Sequence, residues 1–323
     1  MKCDALIIGG GVAGLAVAET LLPSLQVTVL EEERLGGLAW QLGCKATTEC
    51  LACGVCRSLE MKRKASRFPV LLGERITTVE RQNGGFKITT QKRAIETRFV
   101  VIATGASPFP PQRMPQFGFG TLKWVYSGFD LEKKLNREGL NEFAPFHEIA
   151  FIQCVGSRNF QEKRGYCSQV CCRYALRLAE NLLFRFPHLH IDFYYMDLQV
   201  FGKKSEKLWE TSEKVKLIRN LPFAAEEGNG KLSVVFEGER GVSREKYDAI
   251  ILSVGMIPSS GTKRMVELLH LTSTVEGFIK DYGGGVTSQE GILVCGTASG
   301  PKDIETSTRE ARMVGEKIKR MEN

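Results

Sequence analysis

Ten cysteines occur in this chain of 323 residues, and eight of them fall into two tight groups. Cys44, Cys50, Cys53 and Cys56 read C-x5-C-x2-C-x2-C, and Cys154, Cys167, Cys171 and Cys172 read C-x12-C-x3-C-C. The N-terminus enters an apolar strand directly, without the cationic stretch and apolar run of a signal peptide, so a cytoplasmic protein is expected. In a reducing compartment a disulfide framework is disfavoured, and thiols gathered in this way point to metal or redox chemistry. The second group offers four thiolates from one loop and one helix start, a set able to surround a single iron–sulfur cluster. The plainer reading is two buried structural cysteines and two incidental ones. Four cysteines within 19 positions, with Arg and Lys nearby to offset thiolate charge, favour the cluster.

The first group leaves three readings open. Its C-x2-C-x2-C core has ferredoxin-like spacing, which suits a second [4Fe–4S] cluster. A Cys50/Cys53 or Cys53/Cys56 redox dithiol is another, because C-x-x-C lowers a thiol pKa. A zinc site is the third. Cys3 and Cys295 sit on apolar strands and are expected to be core thiols. His147, His188, His190 and His270 show no ligand spacing. Trp40, Trp124 and Trp209 are expected to pack rather than to stack on a ligand.

Elements must position these thiols, and the first is a glycine turn. Ala5–Ile8 reads as a strand, Gly9–Gly14 as a turn, Leu15–Leu22 as a helix stopped near Pro23, and Val27–Leu30 as a second strand. Gly9, Gly11 and Gly14 form G-x-G-x-x-G, with Val12 and Ala13 between the last two. The first glycine makes the tight turn, the second admits a pyrophosphate, and the third lets helix and strand pack. Glu31 ends the second strand, where an acid can accept hydrogen bonds from a ribose, and Glu32 follows it. Three features favour FAD as the dinucleotide. Gly36-Gly37 comes soon after the acid. Ala103-Thr104-Gly105 ends a buried strand at Phe99–Ala103. Gly291–Ala298, GILVCGTA, resembles the late strand of two-dinucleotide-domain flavoproteins. There Gly296 is followed by Thr297, where the usual residue is Asp. Ile76, in a strand expected at Arg75–Arg81 before the Asn83-Gly84-Gly85 turn and the strand Phe86–Thr90, completes the candidate cofactor set with Ile304. A final helix begins near Asp303-Ile304, and its positive end is expected to favour a reduced, anionic flavin.

Pro108–Pro115 marks a crossover, and a second strand–turn–helix begins at Glu148. The expected domains are 1–110 with 255–323, binding FAD and carrying a cysteine-rich excursion at 36–60 near the flavin, and an inserted Rossmann-like domain at 111–254. In the insert, Ile149–Gln153 leads into Cys154-Val155-Gly156-Ser157-Arg158, and no second G-x-G-x-x-G follows. A helix at about Cys171–Phe184, a strand at Ile191–Tyr195, a helix near Ser205–Lys216 and strands over 217–252 returning to the sheet complete it. The fold class is therefore α/β, with two dinucleotide-type domains.

CVGSR, YCSQVCCRYAL, YMDLQVFGKK (Tyr195–Lys204) and GPKDI (Gly300–Ile304) together resemble the A-type subunits of heterodisulfide reductase and their relatives. The resemblance covers most of the chain. It implies a thioredoxin-reductase-like core with FAD and a [4Fe–4S] cluster on Cys154, Cys167, Cys171 and Cys172. The length is similar to the short type found in heterodisulfide-reductase-like complexes of sulfur oxidisers, without the ferredoxin modules of the methanogenic form. The resemblance thus implies an electron-transfer subunit in sulfur or thiol–disulfide metabolism, homodimeric, with B- and C-type electron carriers as partners. The flavin and clusters carry the electrons, so no catalytic side chain is expected. The alternatives are a stand-alone NAD(P)H-linked FAD disulfide reductase using a dithiol in the Cys50–Cys56 region, and a structural subunit with a vestigial flavin. A net charge of +7 over this length gives no case for nucleic acid. Lys62-Arg63-Lys64 and Lys203-Lys204 read as solvated faces. No apolar run reaches the ~18 residues a membrane helix needs.

Overall fold

A computed structural model describes every residue except Pro23, Asn83, Gln161, Lys203, Lys204, Glu239, Arg240 and Asn323. The helix stop expected at Pro23, the first residue of the Asn83-Gly84-Gly85 turn and the Lys203-Lys204 cluster lie outside the described residues. The chain forms two compact units: Met1–Trp40 with Gly54–Ser107 and Ile257–Asn323, and Gln41–Cys53 with Pro108–Met256. Residues 41–53, expected with the first domain, belong to the second.

The first unit begins with β1 (Lys2–Ile8), α1 (Val12–Leu21), β2 (Val27–Glu31), α2 (Val55–Lys64), β3 (Val70–Leu72), β4 (Ile76–Gln82), β5 (Gly85–Thr90) and β6 (Ala94–Ile102). β1 is apolar from Ala5 to Ile8, as a parallel strand buried on both faces must be. It lies between β2 and β6, parallel to both, with Ile8 opposite Leu30 and Ile102. β4 and β5 extend the sheet as an antiparallel meander from the first half of β6. Alternate side chains of β1 serve two cores. Ala5 and Ile7 pack with Leu15 and Val17 of α1, and Leu6 and Ile8 with Ile88 and Ile95.

The chain leaves through β7 (Ala106–Pro108). The second unit contains β8 (Val125–Ser127), α3 (Gly128–Arg137), β9 (Glu148–Val155), α4 (Cys171–Arg185), β10 (His190–Tyr194), α5 (Ser205–Glu213), β11 (Lys216–Ile218), β12 (Ala224–Gly228), β13 (Lys231–Gly238), β14 (Gly241–Tyr247) and β15 (Ala249–Val254). Its main sheet runs β11-β10-β9-β15-β8, all parallel. β12, β13 and β14 do not return to that sheet; they form an antiparallel sheet of their own. The reason is local. Asn229 and Gly230 both take positive φ (53° and 74°) between the paired residues Gly228 and Lys231, the two-residue turn that folds a hairpin back on itself.

The chain returns through β16 (Met256–Pro258) to α6 (Ser260–Leu268), β17 (Ile292–Val294) and α7 (Ile304–Glu322). β17 pairs in parallel with the second half of β6, Val294 opposite Ile102. Ala311, Val314 and Ile318 of α7 join the core around α1. Among the described residues no helix is long and apolar enough to cross a membrane.

Candidate functional site

In the first unit the three glycines of the turn meet three different surroundings. Gly9 has φ +110°, and a Cβ there would lie 2.4 Å from the Ala103 carbonyl oxygen. A Cβ on Gly14 would lie 1.9 Å from the Gly9 carbonyl oxygen. Gly11 alone faces open space, with no heavy atom within 4 Å of its would-be Cβ. Gly11 is also the N-cap of α1, which has no side-chain cap and no acid in its first turn. Turn and helix start, including Val12 and Ala13, thus present a positive helix end to an open space of the kind that takes a phosphate. Glu31 closes one side. Its Oε2 accepts from the Gly10 N–H at 2.6 Å, and its Oε1 from Glu33 and Arg34 at 2.8 and 3.2 Å. A carboxylate has about four acceptor positions, so one remains for a hydroxyl.

Other expected residues gather here. The Gly36 N–H donates to the Gly10 carbonyl at 2.8 Å, and Gly37 lies against Gly11, its would-be Cβ 3.2 Å from the Gly11 Cα. Trp40 packs on Gly36, with the Lys62 ammonium 3.3 Å from its ring centroid. The Ala103 N–H donates to the Ile8 carbonyl. The would-be Cβ of Gly105 lies 3.3 Å from Thr297 Oγ1, and that of Gly296 2.6 Å from the Ala13 Cβ. The late Gly296-Thr297 turn therefore stands beside both the Ala-Thr-Gly turn and the start of α1. Glu32 and Ile76 do different work. Partial burial of Glu32 opposes its charge, but the Arg264 and Arg75 guanidiniums prevail and hold its carboxyl below the usual glutamate range. Ile76 is a core residue packed near Leu30 and Ile88.

The sequence reading missed several participants. Ser259 caps α6 and donates to the Thr104 carbonyl at 2.9 Å, while the Thr262 hydroxyl donates to the Gly105 carbonyl at 2.6 Å. Glu310 of α7 accepts from the Gly296 N–H at 2.8 Å and pairs with Lys302, also at 2.8 Å. These supply a carboxylate next to Thr297, one residue from where the usual Asp would stand. Asp303 caps α7, accepting from the Thr306 N–H at 2.7 Å. That carboxylate offsets part of the positive helix end expected at Ile304.

In the second unit, Cys154 lies near the end of β9 with φ +61°, and Gly156, Arg158 and Gln169 of the following loop are also left-handed. Cys171 and Cys172 open α4 and are buried; Cys154 and Cys167 are half-buried. The four thiols sense one another. Burial pushes the Cys154 thiol up to about 12, with Cys172 and Cys167 adding to the shift and Arg158 opposing it. Burial likewise raises Cys171, with Cys172, Cys154 and Cys167 adding to the shift, and Cys172, with Cys167 adding to it. Asp197 pairs with Arg158 and so holds its guanidinium beside the group. The donor set is all sulfur, two thiols buried and two half-buried, with Arg158 the cation beside it, which is the chemistry a metal–sulfur core would satisfy. Among the described residues, no three His, Cys, Asp or Glu side chains are drawn together into a metal-ligand shell. Gly156, where a second nucleotide turn would begin, is covered: its would-be Cβ lies 2.1 Å from the ring of buried Phe109.

Cys44, Cys50 and Cys53 lie on the loop that joins the second unit, whereas Cys56 lies in α2 of the first. Cys44, Cys50 and Cys56 are exposed and Cys53 half-buried. The loop's attachment explains why it leaves the first unit. Lys45, 2% exposed, is paired with Glu132 of α3 at 2.5 Å, and Arg177 of α4 donates to the Leu51 carbonyl at 2.8 Å.

Residues 3–141 match the family described as pyridine nucleotide-disulphide oxidoreductase. The chain is 31% identical over 234 residues to an iron–sulfur A-type subunit of the CoB–CoM heterodisulfide reductase of Methanopyrus kandleri, covering 67% of this chain and 36% of that protein. It is 30% identical to the A-type subunit of the H2:CoB-CoM heterodisulfide,ferredoxin reductase of Methanothermobacter thermautotrophicus, with the same shares covered. The chain thus spans about a third of the length of these relatives. Among solved structures it resembles thioredoxin reductase from T. acidophilum (TM-score 0.66, 13% identity, 99% of each chain). It resembles that from Lactococcus lactis equally (TM-score 0.66, 20% identity, 99% of this chain and 98% of that one). The chain has the thioredoxin-reductase fold, and over two thirds of its length it is similar to the heterodisulfide reductase A-type subunits.

Proposed function

We propose that the chain holds FAD in its first unit and a [4Fe–4S] cluster on Cys154, Cys167, Cys171 and Cys172 in its second, and passes electrons to partner subunits of a heterodisulfide-reductase-type complex. When bound, FAD would supply conversion between two-electron and one-electron steps, and the cluster would take single electrons. The residues supply the rest. Gly9–Gly14 leave room for a pyrophosphate, Glu31 keeps a lone pair for a ribose, and Thr297 with the Lys302–Glu310 pair borders the same turn. Arg158 would offset thiolate charge at Cys154 and Cys167.

The observation that carries the reading is the exchange at the end of β9. Cys154 lies near the end of β9 and Cys171 and Cys172 open the next helix, where a second nucleotide turn would be, and Phe109 covers the glycine that would face the phosphates. The family resemblance adds B- and C-type carriers, a homodimer and a cytoplasmic setting to the proposal. Anaerobic reconstitution followed by iron and sulfide analysis tests it. About four irons per cluster are expected, lost in Cys171→Ser while FAD stays. FAD at full occupancy with no iron in the native protein would sink it. A second reading, an NAD(P)H-linked disulfide reductase with a Cys50/Cys53 dithiol, draws on the exposure of Cys50. Rapid bleaching of the flavin by NADPH or NADH alone would favour it.

A further inference from the structure

The loop from Gly43 to Cys53 is fastened at nearly every residue that is not a cysteine. The Gly43 N–H donates to Glu132 Oε2 at 3.3 Å, and Lys45 Nζ reaches both Glu132 and the Gly43 carbonyl, at 2.5 and 2.9 Å. The Ala46 carbonyl accepts from Asn181 Nδ2 at 3.4 Å, and Glu49 pairs with Lys207. The Leu51 and Ala52 carbonyls accept from Arg177 Nε and Nη2 at 2.8 and 3.3 Å. Ala52 takes φ +49°, a conformation uncommon outside glycine. A left-handed residue there lets one guanidinium receive two successive carbonyls. Leu51 is buried, while the flanking Cys50 is exposed and Cys53 half-buried.

Arg177 is itself 6% exposed. Taking a guanidinium out of water is costly, so what it gains is position rather than net attraction. It belongs to a row on α4: Arg173, Arg177, Asn181 and Arg185 recur every fourth residue and so line one face of the helix. That helix opens with Cys171 and Cys172. One rigid element therefore carries the two buried thiols of one group and the anchor for the loop of the other.

We infer that Arg177 is a positioning residue: it fixes the Gly43–Cys53 loop on α4 so that Cys44 and Cys50 stay exposed and Cys53 half-buried. The two exposed thiols suit a thiophilic group, one that bonds to thiolate sulfur. The inference deepens the reading above but needs no metal on Cys154 or its neighbours, so either can fail alone.

The test is the rate of alkylation by iodoacetamide, anaerobically and thiol by thiol, in the full-length FAD-loaded protein. Peptide mass spectrometry reads each cysteine in native, Arg177→Met and Arg177→Lys chains. In Arg177→Met, Cys53 should react about tenfold faster, because losing charge-assisted bonds raises local opening. Cys171 and Cys172 should keep their native rates, and FAD its occupancy. Arg177→Lys should fall between, since an ammonium lacks the planar fork that serves two carbonyls. A general structural role predicts instead that Cys171 and Cys172 speed up in parallel. That result, or loop thiols within about twofold of native in both variants, overturns the inference. If Arg177→Met does not fold, Arg177→Lys and Asn181→Ala carry the same comparison.

Discussion

Gly11 and Gly14 are three residues apart in one motif, yet an added methyl group should do opposite things to them. At Gly11 it enters open space, and the backbone (φ −75°) suits alanine. Gly11→Ala should fold with an unchanged melting temperature and emerge from gel filtration with less FAD. At Gly14 the methyl would lie 1.9 Å from the Gly9 carbonyl oxygen, so strand and helix must separate. Gly14→Ala should cost about 1–3 kcal/mol of stability, read by denaturant unfolding. A second residue-scale prediction concerns Glu32. Its folded pKa lies below the ordinary value of 4.5, so the stabilisation is present at neutral pH and is lost as pH falls through the folded value. Glu32→Gln should therefore be less stable than native by about 1 kcal/mol near pH 7, and the difference should shrink as pH falls below 4.5 and vanish below the folded value. A difference that persists in acid would show that packing, not charge, is responsible.

At the scale of elements, the loop and the helix that receives it make one buried polar network. Lys45 and Glu132 are both nearly fully buried, and burial raises the Glu132 carboxyl even with Lys45 beside it. Lys45→Met should cost about 3–5 kcal/mol, because it strands a carboxylate, whereas Lys45→Met with Glu132→Leu should recover most of that loss. Chemical unfolding of both chains reads the contrast. This network was not legible in the sequence. Leu51 and Arg177 are 126 residues apart, and a contact over that distance leaves no periodicity behind. What was legible was local: the glycine turn, the parallel strands beside it, and a helix opening at Cys171-Cys172. α3 went unread although Ser127 and Asp130 form a capping box at its start, and the Asn229-Gly230 hairpin although its dipeptide is a strong turn signal. Ser259 and Glu310 reach the site from α6 and α7, and only the fold brings them there.

The whole molecule joins two units that answer different requirements. The first keeps the open turn and helix end that a dinucleotide needs. The second keeps the parallel sheet of such a domain but fills its turn with Phe109 and four thiols. A dinucleotide-type sheet whose glycine is covered is consistent with the general separation of fold from function. Two similar frames thus differ in a few residues at their strand ends.

The detour of residues 41–53 into the second unit has a practical meaning for anyone who would cut and paste this protein. The second unit is not one stretch of the gene. A fragment excised at Pro108 and Met256 would look like a complete sheet-and-helix domain, yet it would leave behind Lys45 and the carbonyls of Leu51 and Ala52. Glu132 would then lose its Lys45 partner, and Arg177 its bonds to the Leu51 and Ala52 carbonyls. Any transplant of this module must carry the thirteen residues from Gln41 to Cys53 as a separate graft, or replace those two charged side chains by apolar ones.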